Sequence, residues 1–91
     1  MTSDYPIGQT IAEREKTHGP WSSQSETAQQ LKAVMRQSRN WPDLSASQAE
    51  ALEMVAVKIS RILNGDPNHL DSWHDLKGYG HLGKSMIPLQ G

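Results

Sequence analysis

The sequence predicts an all-α fold: a small four-helix bundle whose last two helices form an antiparallel hairpin and which assembles into an oligomer. Three observations predict it. Apolar residues recur at helical spacing, most clearly at Leu52, Val55, Ile59 and Ile62. Clusters at Gly19–Pro20, Asn40–Trp41–Pro42–Asp43 and Asn64–Gly65–Asp66–Pro67 cut the chain into four segments, because Gly, Pro and Asn supply positive φ, fixed φ or local side-chain hydrogen bonds. Finally, 91 residues make one domain near the lower limit of independent stability. With no cysteine, disulfides, thiolate metal sites and a cysteine nucleophile are excluded, and association between copies is the remedy left most open.

The first helix is expected over about Ile7–Thr17, with Ile7, Ile11 and Ala12 on one side and Glu13, Arg14, Glu15 and Lys16 around the rest. At that length it is marginal alone. The second is expected from the capping box Ser23-x-x-Glu26 to about Ser38, with an apolar stripe of Ala28, Leu31, Val34 and Met35. The third can be capped by Ser45-x-x-Gln48 or by Ser47-x-x-Glu50 and is expected to stop at a left-handed Gly65. The fourth follows Asp66–Pro67, with Asn68-x-x-Asp71 as its cap and Leu70, Trp73, Leu76, Gly80 and Gly83 as its buried side. Three glycines, Gly78, Gly80 and Gly83, cost roughly 2–3 kcal/mol of helix propensity, which points to close backbone approach there. Residues 1–6 and 86–91 are expected to be flexible tails of the single domain, 1–91.

The short link between the third and fourth helices predicts their antiparallel pairing. At about 100° per residue, Leu52, Val55, Ile59 and Ile62 share one arc of the third helix, with Glu50, Glu53, Met54, Val57 and Arg61 opposite. Met54 and Val57 on the opposite arc need cover, from another helix or, preferably, from a second subunit. The net charge of −1 gives no field that favours nucleic acid, and no apolar run approaches a membrane span. Met1–Pro6 lacks the basic and apolar pattern of a signal peptide, so a cytoplasmic location is expected.

Several polar groups stand at chemically suggestive spacings. Glu50-x-x-Glu53 and Asp71-x-x-x-Asp75 each place two carboxylates on one helical face, an arrangement that suits Mg²⁺ and a phosphate substrate. The alternative is that these acids favour the positive ends of their helices and that Arg61 pairs with Asp71 across the hairpin. His74, Lys77, His81 and Lys84 form a basic stripe that either grips phosphates or is simply the solvated side of the helix. In Arg14-x-x-x-His18–Gly19–Pro20–Trp21, Trp21 would stack a base and Arg14 hold a phosphate, or else Trp21 plugs the end of the core. Trp73 has the stronger claim to the core, and the Tyr79 hydroxyl lies within reach of Asp75 or a ligand. No catalytic triad, Gly-rich phosphate loop or dinucleotide fingerprint is present.

His18–Gly19, Glu50–Ala51–Leu52–Glu53–Met54, Lys58–Ile59-x-Arg61–Ile62, Gly65–Asp66–Pro67 and Trp73-x-Asp75–Leu76-x-Gly78–Tyr79 together resemble a phage and prophage family known only as a domain of unknown function. The resemblance covers about Arg14 to Leu82. That family is in turn distantly similar to the all-α, MazG-like nucleotide pyrophosphohydrolases, which hold Mg²⁺ with a Glu-x-x-Glu and a later Glu-x-x-Asp. Carried across, Glu50, Glu53 and Asp75 would be metal ligands, but Ser72 stands where the second pair needs its Glu. The resemblance implies a small phage accessory protein that acts by binding a nucleotide, a nucleotide signal or a host defence protein. Arg14, His18, Lys58, Arg61, Asp75 and Tyr79 are its candidate contacts, with no cofactor. The alternatives are a Mg²⁺-dependent nucleoside triphosphate pyrophosphohydrolase and a purely structural oligomer.

Overall fold

Ser45 opens the longest helix. Its hydroxyl accepts the Gln48 amide at 3.1 Å, and the Gln48 side chain accepts the Ser45 amide at 3.0 Å. Two amides at the start of the helix are thereby satisfied reciprocally, and Ser47-x-x-Glu50 lies inside the helix instead of capping it. The structure, a computed structural model, describes residues 7–88. It comprises α1 (Ile7–His18), α2 (Trp21–Arg36), a single 3₁₀ turn at Trp41–Asp43, α3 (Ala46–Asn64) and α4 (Leu70–Ser85). No strand occurs among the described residues, so the all-α bundle stands.

Helix α3 is the centre of the fold. It packs most extensively against α4, then against α2, and least against α1. Its buried residues Ala51, Ala56, Lys58, Ser60 and Ile62 point in several directions around the axis, as a helix flanked on two sides requires. Three of them are small, which lets neighbouring backbones come close. The predicted α3–α4 hairpin is present. On the other flank α2 covers the arc carrying Glu53, Val57, Ser60 and Asn64. There Asn64 Nδ2 donates to Thr27 Oγ1 at 3.0 Å, and Glu53 pairs with Arg36 at 2.6 Å and with Lys32 at 3.7 Å. Of the two covers expected for Met54 and Val57, another helix of the chain supplies part, at Val57, on the arc that α2 takes. Both are half-buried within the chain.

The helix ends depart from expectation in three places. Helix α2 starts at Trp21, with Pro20 as its cap, and Ser23-x-x-Glu26 makes no capping hydrogen bond. Pro20, at φ −58, is already set for helix entry, so the chain does not wait for Ser23. Gly65 ends α3 at φ −118, not in the left-handed region. Helix α4 starts after His69 without a side-chain cap, while the Asp66 carboxylate accepts the Asn68 amide at 2.9 Å in the turn before it.

The rotation of α4 is the main correction. Ser72 is buried, Asp75, Leu76, Tyr79 and Gly83 are half-buried, and Leu70 and Trp73 expose 78% and 49% of their surface. Small Ser72 lets α4 approach α3 more closely than Trp73 would, and the Trp73 indole N–H instead donates to the Pro67 carbonyl at 2.8 Å. Gly83 packs against Ala51, with 3.5 Å between the Ala51 Cβ and the place a Cβ on Gly83 would take. Gly78 and Gly80 face open space, so close approach accounts for one glycine of the three. Met86 and Ile87, expected in a tail, extend the last turn by donating to the Gly83 and Lys84 carbonyls at 3.2 and 3.1 Å. The expectations made for residues 1–6 and 89–91 lie outside the described residues. Among the described residues, no helix is long and apolar enough to cross a membrane.

Candidate functional site

Two glycine turns press the ends of three helices together. Gly19 follows α1 at φ +81, a conformation glycine adopts without the penalty of a Cβ, and its amide donates to the Glu15 carbonyl at 2.9 Å. A Cβ on Gly19 would overlap the Asn64 carbonyl, and one on Gly65 would overlap the Thr17 carbonyl. The two backbones touch, and the Asp66 amide donates to the Thr17 carbonyl at 2.9 Å. His18–Gly19 and Gly65–Asp66–Pro67, far apart in sequence, are two halves of one joint.

The joint gathers side chains from three helices. Arg14 and His18 end α1, Trp21 and Gln24 begin α2, and Arg61 lies in the last turn of α3. With Ile11 and Glu15 they bound a cavity of about 280 Å³, at the lower edge of the roughly 300–1,000 Å³ of small-molecule sites. Gln24 is buried at its base. Its side-chain nitrogen donates to the Gly19 carbonyl at 3.3 Å, and its oxygen accepts Arg61 Nε at 3.4 Å. The Arg61 guanidinium is thus held through Nε, which leaves its terminal nitrogens facing the cavity side. Trp21 is 69% exposed at the mouth, so it does not plug the core.

Beside the cavity, buried Lys58 pairs with the Asp75 carboxylate at 3.0 Å. The hydrogen bond from Lys58, and then its charge, hold the Asp75 carboxyl below the usual range. His18 titrates below an ordinary histidine, first because burial disfavours its charged form and then because Arg61, Lys58, His69 and Arg14 all repel a proton there. The His18 and His69 rings meet edge to face, with centroids 6.3 Å apart. Two guanidinium groups against the single carboxylate of Glu15 make the cavity net cationic, with an aromatic face at its entrance. A net cationic cavity is suited electrostatically to an anion, and guanidinium forks match phosphate oxygens in geometry.

Of the six expected contacts, Arg14, His18 and Arg61 line the cavity, and Lys58 and Asp75 adjoin it as an ion pair. Tyr79 does not reach the cavity, although it shares a separate open depression on α4 with Asp75. It lines an apolar groove with Ala51 and Leu52 nearer the other end of α3. The expected Arg61–Asp71 pair is not formed, because the rotation of α4 turns Asp71 outward and brings Asp75 to Lys58. The proposed metal ligands are not gathered either. Glu53 is held by Arg36 and Lys32, Asp75 by Lys58, and Glu50 is exposed. Among the described residues, no group of three or more His, Asp or Glu could hold a metal ion. His74, Lys77, His81 and Lys84 all remain exposed on α4.

Sequence reasoning missed Gln24 and His69. Gln24 stands one turn before Ala28 on the stripe that α2 buries, and a polar residue on such a stripe signals a buried hydrogen-bonding role. His69 gave no periodic signal, since it precedes α4.

No curated protein and no solved structure matches the chain. A family model described as "Domain of unknown function (DUF6378)" matches residues 8–87, a span that includes both glycine turns, the cavity and the α3–α4 hairpin. The chain therefore belongs to the DUF6378 family, a domain of unknown function.

Proposed function

We propose that the chain binds a phosphate-bearing small molecule, foremost a nucleotide, in the cavity between α1, α2 and α3. The convergence of Arg14, His18 and Arg61 on one cavity, with an exposed Trp21 at its mouth, carries this proposal. Arg61, oriented by Gln24, and Arg14 take the phosphate oxygens, and Trp21 offers its face to the base. The cavity volume suits a mononucleotide better than a dinucleotide. In biological terms we place the chain among small phage-encoded accessory proteins that act by capture, with a nucleotide or nucleotide signal, such as one used in host defence, as the ligand. Capture is preferred over MazG-like hydrolysis because Glu50, Glu53 and Asp75 stand apart, two of them neutralised by basic partners.

Calorimetry with nucleoside mono- and triphosphates and with inorganic phosphate, at low salt and with or without Mg²⁺, tests it. Loss of a charged hydrogen-bond partner in Arg61→Ala or Arg14→Ala should weaken binding roughly 10- to 100-fold. Trp21→Ala should weaken nucleotides by a similar factor and leave inorganic phosphate unaffected. Absence of nucleotide binding, or binding indifferent to Arg61→Ala, would end the proposal. Pyrophosphate release that disappears in Glu53→Ala with the helices intact would replace capture by catalysis.

A further inference from the structure

Helices α2, α3 and α4 lie side by side as a layer, and α1 with the cationic cavity sits on one face of it. The other face carries three apolar stripes. On α3 these are Leu52, Ile59 and Leu63, spaced seven and four residues apart. On α4, Gly80, Gly83 and Ile87 line a groove of about 220 Å³ with Leu52 and Val55, and Trp73 and Leu76 precede Gly80 by seven and four residues on the same side. On α2, Met35 lines a second groove, of about 250 Å³, with Trp41, Leu44 and Leu52 and with Ser38 just beyond the helix. Leu31 stands one turn before Met35 on that side, and Val34 is next to Met35 in the last turn of the helix.

Nothing in the described chain covers this face. Val34 and Leu63 are each 68% exposed and Ile87 57%, with Leu52 and Trp73 near half. No Asp, Glu, Lys or Arg stands on the central stripe Leu52, Ile59 and Leu63; Lys84 lines the groove on its α4 side, and exposed Lys77 follows Trp73 by one turn. With the half-buried Leu31, Ile59 and Leu76, the face offers on the order of 700 Å² of mostly apolar surface, above the 300–600 Å² patch of an ordinary monomer and close to the roughly 800 Å² each partner gives to a standard interface.

We infer that this face is the interface of a homodimer in which two chains pack back to back through Leu52, Ile59, Leu63, Val34 and Trp73. A two-fold interface sets the same patch against itself, so any charge near the axis would meet its own copy. The centre of the face, at Leu52, Ile59 and Leu63, carries no charge and is complementary to itself. Lys77 and Lys84 are displaced to the α4 side, away from an axis through α3. A partner chosen by charge would instead require ionic groups at the centre. The layer logic agrees, since a single layer of helices must bury its apolar side against a second. The cationic cavities of the two chains then point away from each other, each complete within its own chain.

Sedimentation velocity across the micromolar range tests this directly. The native chain should sediment as a dimer. Leu52→Glu with Leu63→Glu should raise the dissociation constant by on the order of a hundredfold or more, because each charge is buried without a partner. Leu82→Glu, exposed on the opposite side of α4, should leave the dimer intact. A monomer at all concentrations, as expected if some other protein covers the face, overturns the inference. So does an oligomer that survives the double substitution or breaks with Leu82→Glu. Should the doubly charged variant fail to fold, Trp21→Phe provides the second reading. Its emission then reports Trp41 and Trp73, which should shift to the red on dilution as the mass halves; unchanged emission through that transition also overturns it.

Discussion

Replacing Gly19 and Gly78 by alanine should move stability in opposite directions. Gly19 sits at φ +81, and a Cβ there would overlap the Asn64 carbonyl. The left-handed conformation costs an ordinary residue about 1–2 kcal/mol, and relieving the overlap by shifting the joint between α1 and α3 adds about 1–3 kcal/mol. Gly78 lies within α4 with no atom near the position a Cβ would occupy. Alanine there removes backbone entropy from the unfolded chain and should stabilise by about 0.5–1 kcal/mol. For a domain of this size, each kcal/mol moves the thermal midpoint by about 4–8 °C, so the two variants should differ by at least about 10 °C. Gly83→Ala, whose Cβ would lie in ordinary contact with Ala51 at 3.5 Å, gains the same backbone effect and should also raise the midpoint, by no more than Gly78→Ala. Thermal melts followed by circular dichroism at one fixed protein concentration measure all three, since association shifts midpoints with concentration. A Gly19→Ala variant as stable as the native chain would refute the joint, and with it the placement of His18, Trp21 and Arg61.

Two further outcomes follow from the same geometry. Ser45→Ala removes one hydrogen bond of the capping box and should destabilise by about 1 kcal/mol, whereas Ser47→Ala and Ser23→Ala, which cap nothing, should each change little in the same melts. The pH dependence has a definite sign. The pKa of His18 is lowered in the folded state, so its contribution to stability is intact above the unfolded value of about 6.5 and is lost as the pH falls below it. His18→Gln should flatten that part of the stability curve. The Asp75 carboxyl, also lowered, contributes above its unfolded value of 3.8 and loses that contribution only in the acid range below it. A phosphate bound beside His18 would offset the repulsion from its cationic neighbours, so binding should draw a proton onto His18 at pH values below the ordinary histidine value. Calorimetry in buffers of different ionisation heats reads that proton as the difference between the native chain and His18→Gln, which cancels the proton that the phosphate itself releases; no difference between the two would contradict it.

Much of the molecule is legible in the amino-acid sequence. The Ser45 cap, the run Leu52–Val55–Ile59–Ile62 and the Asn64–Gly65–Asp66–Pro67 break specify α3 and the hairpin, because capping, helical periodicity and turn chemistry are local properties of the chain. Arg14, His18 and Trp21 are recognisable as a group because they stand within a few residues of each other around one sharp turn. That Arg61 joins them is suggested only by the family resemblance and is explained by the contact between the two glycine turns, a long-range event that no spacing within one helix encodes.

The rotation of α4 was decided by tertiary structure alone. Trp73, Leu76, Gly80 and Gly83 do form a stripe by helical spacing, but within the chain only Leu76 and Gly83 are part-covered, while Trp73 and Gly80 are exposed. Periodicity says which residues seek burial and leaves open which surface will bury them. Within the chain, Ser72 and Gly83 win the contact with α3, because small residues facing Ala51 bring the two helices into close packing. The larger side chains are left on the outside, where the same hydrophobic drive acts toward whatever next covers them. Sequence therefore determined the helices, their ends near Ser45 and Gly19, and the polar groups at the joint. Packing between helices determined which carboxylate met Lys58 and which apolar stripe remained open, since both depend on how closely two backbones approach, and that distance is a property of the pair.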